Sequence, residues 1–215
     1  MKDAADVRRC VLNACLTLAD QGFLPGTGGN IAMRVGESAF AVTPSAADYY
    51  TMVPEDICIL DLASLRPIDS RRKPSVESGL HARMLRYRPD FVASIHTHQP
   101  IASAVTLINQ SINVTDVSER AMLGKVVPMI PYGPSGTWFL ARAFGKGLRQ
   151  DSNAYFLRNH GIVCGGATME TAMESVRLLE RVAARFLRER IQTHGASSID
   201  GTIIADVLTE TSASQ

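Results

Sequence analysis

The sequence predicts a single α/β domain, and three observations carry that prediction. Segments with helical periodicity alternate along the chain with short apolar runs of strand length. The 215 residues, 46% of them hydrophobic, suffice for one substantial core. No internal repeat, low-complexity tract or linker divides them.

The elements follow in order. Over residues 3–20, Val7, Val11, Ala14, Cys15 and Leu18 recur at three- and four-residue steps, the apolar stripe of an amphipathic helix. Gly22 stops it, because glycine takes the left-handed cap conformation without a Cβ penalty. GFLPGTGGN then reads as a glycine-rich turn, and the runs IAMRV and FAVTPS flank Gly36 as a hairpin and a following loop. ICILDL at 57–62 is a strand, and SLRPIDSRRKPS is a polar stretch. A helix is expected over 75–88, with Pro74 and Ser75 as its start, Leu80, Met84 and Leu85 as its buried face, and Pro89 as its stop. FVASIHTH is a strand, the segment after Pro100 a helix, and YFLRNHGIVC two strand-like runs meeting at His160 and Gly161. Residues 168–192 form a long helix. The domain is therefore expected over 1–195. The small, polar residues 196–215 form a C-terminal tail expected to be mobile unless it packs on a neighbour.

Composition narrows the function classes. Twenty-two Lys and Arg against 21 Asp and Glu leave a net charge of +1, without the concentrated positive charge that neutralises phosphates, so no nucleic-acid partner is expected. Cys10, Cys15, Cys58 and Cys164 are scattered and read as buried thiols of a reducing compartment. MKDAADVRRC places charge where a signal peptide has its apolar core, and no run approaches the roughly 18 apolar residues of a membrane span. A soluble cytoplasmic protein with no membrane partner is expected. Arg177, Arg181, Arg185 and Arg188, interspersed with Glu170, Glu174, Glu180 and Glu189, read as an exposed ion-paired helix face.

The residues that can do chemistry begin with His96-Thr97-His98 at the end of a strand. Side chains at i and i+2 of a strand project the same way about 6.6 Å apart, a gap that two imidazoles can close onto one ion. The alternative is two histidines satisfied by backbone partners. His160, which also ends an apolar run, is a third candidate, and three neutral imidazoles leave a coordination position open, as in catalytic zinc sites. His81, on an apolar helix stripe, reads as a hydrogen-bonded core histidine, and His194 as part of a polar helix end. Glu77 projects onto the same buried stripe one turn before His81, where a carboxylate is costly unless compensated. Its alternative is a first-turn acid favoured by the helix dipole. Free backbone N–H groups at Ser75–Ser78 and the loop Gly26-Thr27-Gly28-Gly29-Asn30 could each hold an anion. Arg71, Arg72 and Lys73 read as a solvated loop beside them.

Taken together, GTGGN at 26–30, TPSA at 43–46, KPSVE at 73–77, HTH at 96–98, PYGPSGT at 131–137 and LRNHG at 157–161 resemble, in order, the class II aldolase/adducin family. The resemblance covers about residues 5–190. It implies a three-layer α/β/α domain around a mainly antiparallel central sheet, and a homotetramer with active sites between subunits. It implies a divalent metal, usually Zn2+ and otherwise an ion such as Mn2+ or Co2+, held by His96, His98 and His160. Glu77 is then the catalytic acid/base, and touches the metal when substrate is absent. Thr27, Gly28, Asn30, Ser45, Ala46, Ser75 and Val76 occupy the phosphate-binding positions. Gly28, Ala46 and Val76 depart from the family's usual Ser, Gly and Ser, which removes two hydroxyl donors. No tyrosine follows Tyr155, and Asp116 or Glu119 stands where the family's middle proton-carrying tyrosine is expected. The implied activity is a lyase that cleaves a carbon–carbon bond of a small sugar phosphate through a metal-stabilised enediolate. A 4-epimerase, decarboxylase or dehydratase of the same family, or a non-catalytic adducin-like association domain, are the alternatives.

Overall fold

The computed structural model describes residues 3–194. In the first helix, α1 (Ala4–Asp20), the buried residues are Val7, Val11, Ala14, Cys15 and Leu18, the stripe read from the sequence. The chain leaves it through Gly22 at φ +74°. β1 (Asn30–Val35) and β2 (Ala39–Val42) form the expected antiparallel hairpin. β3 (Cys58–Asp61) adds to β2, and β4 (Pro67–Asp69) adds to β3 within the stretch expected to be loop. All three residues of β4 are exposed, so no alternation of apolar and polar residues marked it. Then come α2 (Ser78–Tyr87), β5 (Ala93–Thr97) and α3 (Pro100–Ile108). A run of short elements follows: β6 (Ile112–Asn113), α4 (Val117–Leu123), β7 (Val126–Val127) and β8 (Met129–Ile130). The chain continues through α5 (Trp138–Gly147), β9 (Ala154–Leu157), β10 (Gly161–Gly166) and α6 (Met169–His194). The expectations for the tail at 196–215 and for the side chain of His194 lie outside the described residues.

The main sheet has eight strands in the order β4-β3-β2-β1-β5-β10-β9-β8, and every neighbouring pair is antiparallel except β8 with β9. Alternation along each strand divides the interior into two cores. On one face Ile31, Met33, Ile95, Phe156, Ile162 and Cys164 pack with residues of α1, α3 and α6. On the other, Ala32, Phe40, Val42, Leu60, Tyr155 and Val163 pack with Leu80, Met84 and Leu85 of α2 and Leu140 and Phe144 of α5. This is the three-layer α/β/α arrangement that the resemblance implied. Among the described residues no helix is long and apolar enough to cross a membrane.

The helix expected over 75–88 starts instead at Ser78, with Glu77 at its N-cap. Backbone pairing holds the preceding residues out of the helix. The amide of Ser45 donates to the Lys73 carbonyl at 2.9 Å, the amide of Ser75 donates to the Thr43 carbonyl at 3.1 Å, and Pro44 bridges Pro74. These contacts bring TPSA alongside KPSVE, two segments about thirty residues apart in sequence. The expected exposed face of α6 is ion-paired through Arg177 and Arg181 with Glu174 and through Arg185 with Glu119. Glu180 differs from that expectation: it accepts the backbone N–H groups of Ile101 and Ala102, each at 2.8 Å, and so caps the first turn of α3.

Candidate active site and metal centre

β5 lies between β1 and β10 in the sheet, with the Cα of His96 opposite Asn30 on one side and Val163 on the other. His96 is the fourth residue of β5 and projects toward the α2 layer, as do Ser94 before it and Val163 across from it. His98 follows the strand, and His160 stands in the tight turn between β9 and β10, where Asn159 takes φ +55°. Fold topology thus unites three histidines from two chain segments, with one nitrogen from each lying within 4.8 Å of the others. Glycines make the approach possible. A Cβ on Gly161 would meet the Thr97 carbonyl oxygen at 2.5 Å and His98 Cδ2 at 2.6 Å, and one on Gly28 would meet His98 Nδ1 at 2.7 Å. The glycine that replaces the family's usual serine at 28 gives up a hydroxyl and lets the loop lie against the His98 ring.

Glu77 completes the cluster. Its Oε2 is 3.2 Å from His96 Nε2 and its Oε1 is 3.4 Å from His160 Nε2. The carboxylate also accepts hydrogen bonds from Asn30 Nδ2 at 2.9 Å and from the Ser135 hydroxyl at 2.8 Å. Both its oxygens are therefore held, although the residue is only 6% exposed. Burial pushes the Glu77 carboxyl upward, but the hydrogen bond and charge of His96 and the Asn30 bond outweigh it and hold the carboxyl well below the usual range. Burial, reinforced by the charge of His96, lowers His98 to about 4 and His160 to about 4, which keeps both rings neutral and able to ligate near pH 7.

The donor set fits a divalent cation. His96 Nδ1 donates to the Ile162 carbonyl at 2.7 Å, which turns Nε2 into the cluster. His96 Nε2 stands 3.0 Å from His98 Nε2 and 3.2 Å from the Glu77 carboxylate. Nitrogen and carboxylate atoms converging from three chain segments form a donor set that a divalent cation could share, and among the described residues His160 Nδ1 is buried without a protein partner.

The anion-site candidates are placed less uniformly. Ser75 is buried, and its hydroxyl accepts the Glu77 amide at 3.2 Å. Asn30 is buried with its amide engaged by Glu77 and His81. Thr27, Ala46 and Val76 are exposed, Ser45 and Gly28 half-buried, and Ala46 takes φ +50°. Asp116 and Glu119 stand apart from the cluster within this chain. Asp116 caps α4 by accepting the Ser118 and Glu119 amides, and Glu119 pairs with Arg185. His81 is fully buried and hydrogen-bonded, as its helix position predicted.

Sequence reasoning missed two contributors. The motif PYGPSGT assigns Ser135 no role of its own, and no pattern in the sequence singles out Tyr49. The Tyr49 hydroxyl bridges the carbonyls of Gly28 and Gly29 at 2.9 and 2.8 Å and so pins the glycine loop. A hydroxyl beside a glycine-rich loop leaves no periodic signal, so only the folded chain reveals either contact.

Comparison with known proteins gives the family and the fold. The family model for the class II aldolase and adducin N-terminal domain matches residues 9–187. A 5-deoxy-D-ribulose 1-phosphate aldolase of Bacillus thuringiensis is 34% identical over 164 residues, covering 76% of each chain. A methylthioribulose-1-phosphate dehydratase of Pectobacterium atrosepticum is 26% identical over 189 residues, covering 83% of this chain and 92% of that one. The solved structure of an L-fuculose 1-phosphate aldolase superposes with a TM-score of 0.80 at 25% identity, covering 95% of both chains.

Proposed function

Because this chain belongs to the class II aldolase and adducin family, we propose that it is a divalent-metal-dependent lyase that cleaves a carbon–carbon bond of a small sugar phosphate. One observation carries the reading: Glu77 lies between His96 and His160 in a cluster whose nitrogens and oxygens converge as a ligand set does.

His96, His98 and His160 would hold the ion, which is Zn2+ or a divalent relative such as Mn2+ or Co2+. Bound there, it supplies a Lewis acid that polarises a substrate carbonyl and the adjacent hydroxyl oxygen. Glu77 is the proton carrier at the carbon that gains electron density when the bond breaks. Asn30 and Ser135 fix the direction of the Glu77 carboxylate, so the proton is delivered along one line rather than over a range of rotamers. Thr27, Gly28, Asn30, Ser45, Ala46, Ser75 and Val76 form the phosphate end, served by backbone N–H groups where the family's hydroxyls are missing. The proton on the leaving side belongs to Asp116 or Glu119 reaching in from a neighbouring subunit of a cytoplasmic homotetramer.

A dehydratase is the second reading, and the relative that carries that name favours it. It shares the metal and Glu77 but expels a hydroxyl instead of splitting the carbon chain. A non-catalytic association domain is a poorer fit, because a scaffold has no use for a buried carboxylate set between two imidazoles of a three-histidine cluster. The deciding experiment incubates zinc-loaded protein with ketose 1-phosphates and pentulose 5-phosphates and follows aldehyde, dihydroxyacetone phosphate, epimer and water loss. His96→Ala is the control, and is expected to lose metal and turnover together while remaining folded. Full metal content in a His96→Ala, His98→Ala double variant would overturn the ligand set.

A further inference from the structure

The cluster is backed by a row of buried polar side chains that runs from Ser94 on β5 through His81 and Asn30 to Glu77. Ser94, two residues before His96 on β5, places its hydroxyl 2.8 Å from Nδ1 of His81. His81 Nε2 is 2.6 Å from Asn30 Oδ1, and Asn30 Nδ2 reaches Glu77 Oε2 at 2.9 Å. Ser94 and His81 have no exposed surface, Asn30 has 5% and Glu77 6%, so water takes no part.

Donor and acceptor chemistry gives this row one direction. An ionised carboxylate only accepts, so the Asn30 amide must turn its NH2 to Glu77 and its carbonyl oxygen to His81. That oxygen also only accepts, so the proton of the neutral His81 ring must sit on Nε2. Nδ1 is then bare and must accept the Ser94 hydroxyl proton. Every donor therefore points toward Glu77, and every polar atom in the row is satisfied. Burial supports the neutral ring, since it pushes His81 down to about 3. Reversing one link would set two acceptors or two donors against each other in the buried interior, leaving a polar group unsatisfied.

We propose that Ser94, His81 and Asn30 form a directional hydrogen-bond relay that locks the Glu77 carboxylate in its proton-transfer orientation, with His81 as a positioning residue for the reaction. The assignment rests on the reading of Glu77 as proton carrier. His81 acts through the Asn30 amide, whose carbonyl oxygen it holds in place so that the NH2 stays aimed at Glu77 Oε2.

Two measurements test it. Nitrogen-15 spectra of the histidine rings, recorded near neutral pH with and without zinc, should show His81 as the Nε2–H tautomer in both states; an Nδ1–H ring or exchanging tautomers would overturn the relay. In turnover of whichever ketose phosphate the wild type accepts, His81→Leu should lower kcat about 10- to 100-fold while KM and metal content stay close to wild type. His81→Gln, which offers one donor and one acceptor as the neutral ring does, should recover most of the loss. In a Glu77→Gln background His81→Leu should cost nothing further, whereas an undiminished loss there would show His81 acting elsewhere. If His81→Leu fails to fold, Ser94→Ala breaks the far end of the row and should lower kcat while KM and metal content stay close to wild type; an unchanged kcat in it would overturn the proposal. If no sugar phosphate is turned over by the wild type, the proposed reaction fails, and the tautomer result still decides the relay.

Discussion

Gly161 lies against the His98 ring so closely that a Cβ at position 161 would stand 2.6 Å from His98 Cδ2 and 2.5 Å from the Thr97 carbonyl oxygen. One of these neighbours is backbone and cannot move cheaply, so the ring must give way. Gly161→Ala is accordingly expected to displace His98 and weaken zinc binding about tenfold or more, with the overpacking costing about 1–3 kcal/mol of stability. Competition with a chromogenic chelator measures the affinity, and an unchanged affinity would show that His98 does not ligate.

Glu77→Gln keeps size and most hydrogen bonding and removes the exchangeable charge. The proton-carrier role requires kcat to fall by about 10² or more with the metal still bound. As a partner of the α2 dipole alone, the carboxylate would contribute roughly 0.3–1 kcal/mol to stability and nothing to turnover. Parallel thermal unfolding and steady-state kinetics separate the two, and normal kcat would return the search to Asp116 and Glu119.

Asn30 distinguishes phosphate binding from orientation of the carboxylate. A contact made equally to bound substrate and transition state raises KM, whereas loss of Glu77 alignment lowers kcat. The bonds to Glu77 and His81 lead us to expect that Asn30→Ala lowers kcat by a larger factor than it raises KM. A rise in KM with kcat intact would assign the residue to the phosphate end alone.

His81 makes folding acid-sensitive with a definite sign. Its pKa is about 3 in the folded chain and about 6.5 when unfolded, so below pH 6.5 the unfolded state binds more protons. Stability is full above about pH 6.5 and is lost as pH falls toward 3, at up to about 1.4 kcal/mol per pH unit from this group. Denaturant titrations of metal-free protein at pH 7 and pH 5 should show a loss smaller by about 2 kcal/mol in His81→Gln than in wild type. Equal losses in the two proteins would mean that His81 is already charged in the fold.

Local information settled much of this molecule. The stripe of α1, the hairpin about Gly36, the buried His81 and the pairing of His96 with His98 were all legible, because each depends on side-chain periodicity along a few consecutive residues. Ordered motifs from GTGGN to LRNHG carried the family and with it the three-layer fold. Tertiary structure decided what periodicity cannot encode. It started α2 at Ser78, because pairing of residues 73–75 with 43–45 satisfies the backbone better than another helical turn. It formed β4 from three exposed residues that no hydrophobic pattern marks. It set Ser135 on Oε1 of Glu77 and turned Asn30 toward Oε2, contacts between residues 58 and 47 positions apart. A hydrogen bond closes over less than 3.5 Å and is indifferent to sequence separation, so the partners of a buried carboxylate exist only once the sheet has brought them together.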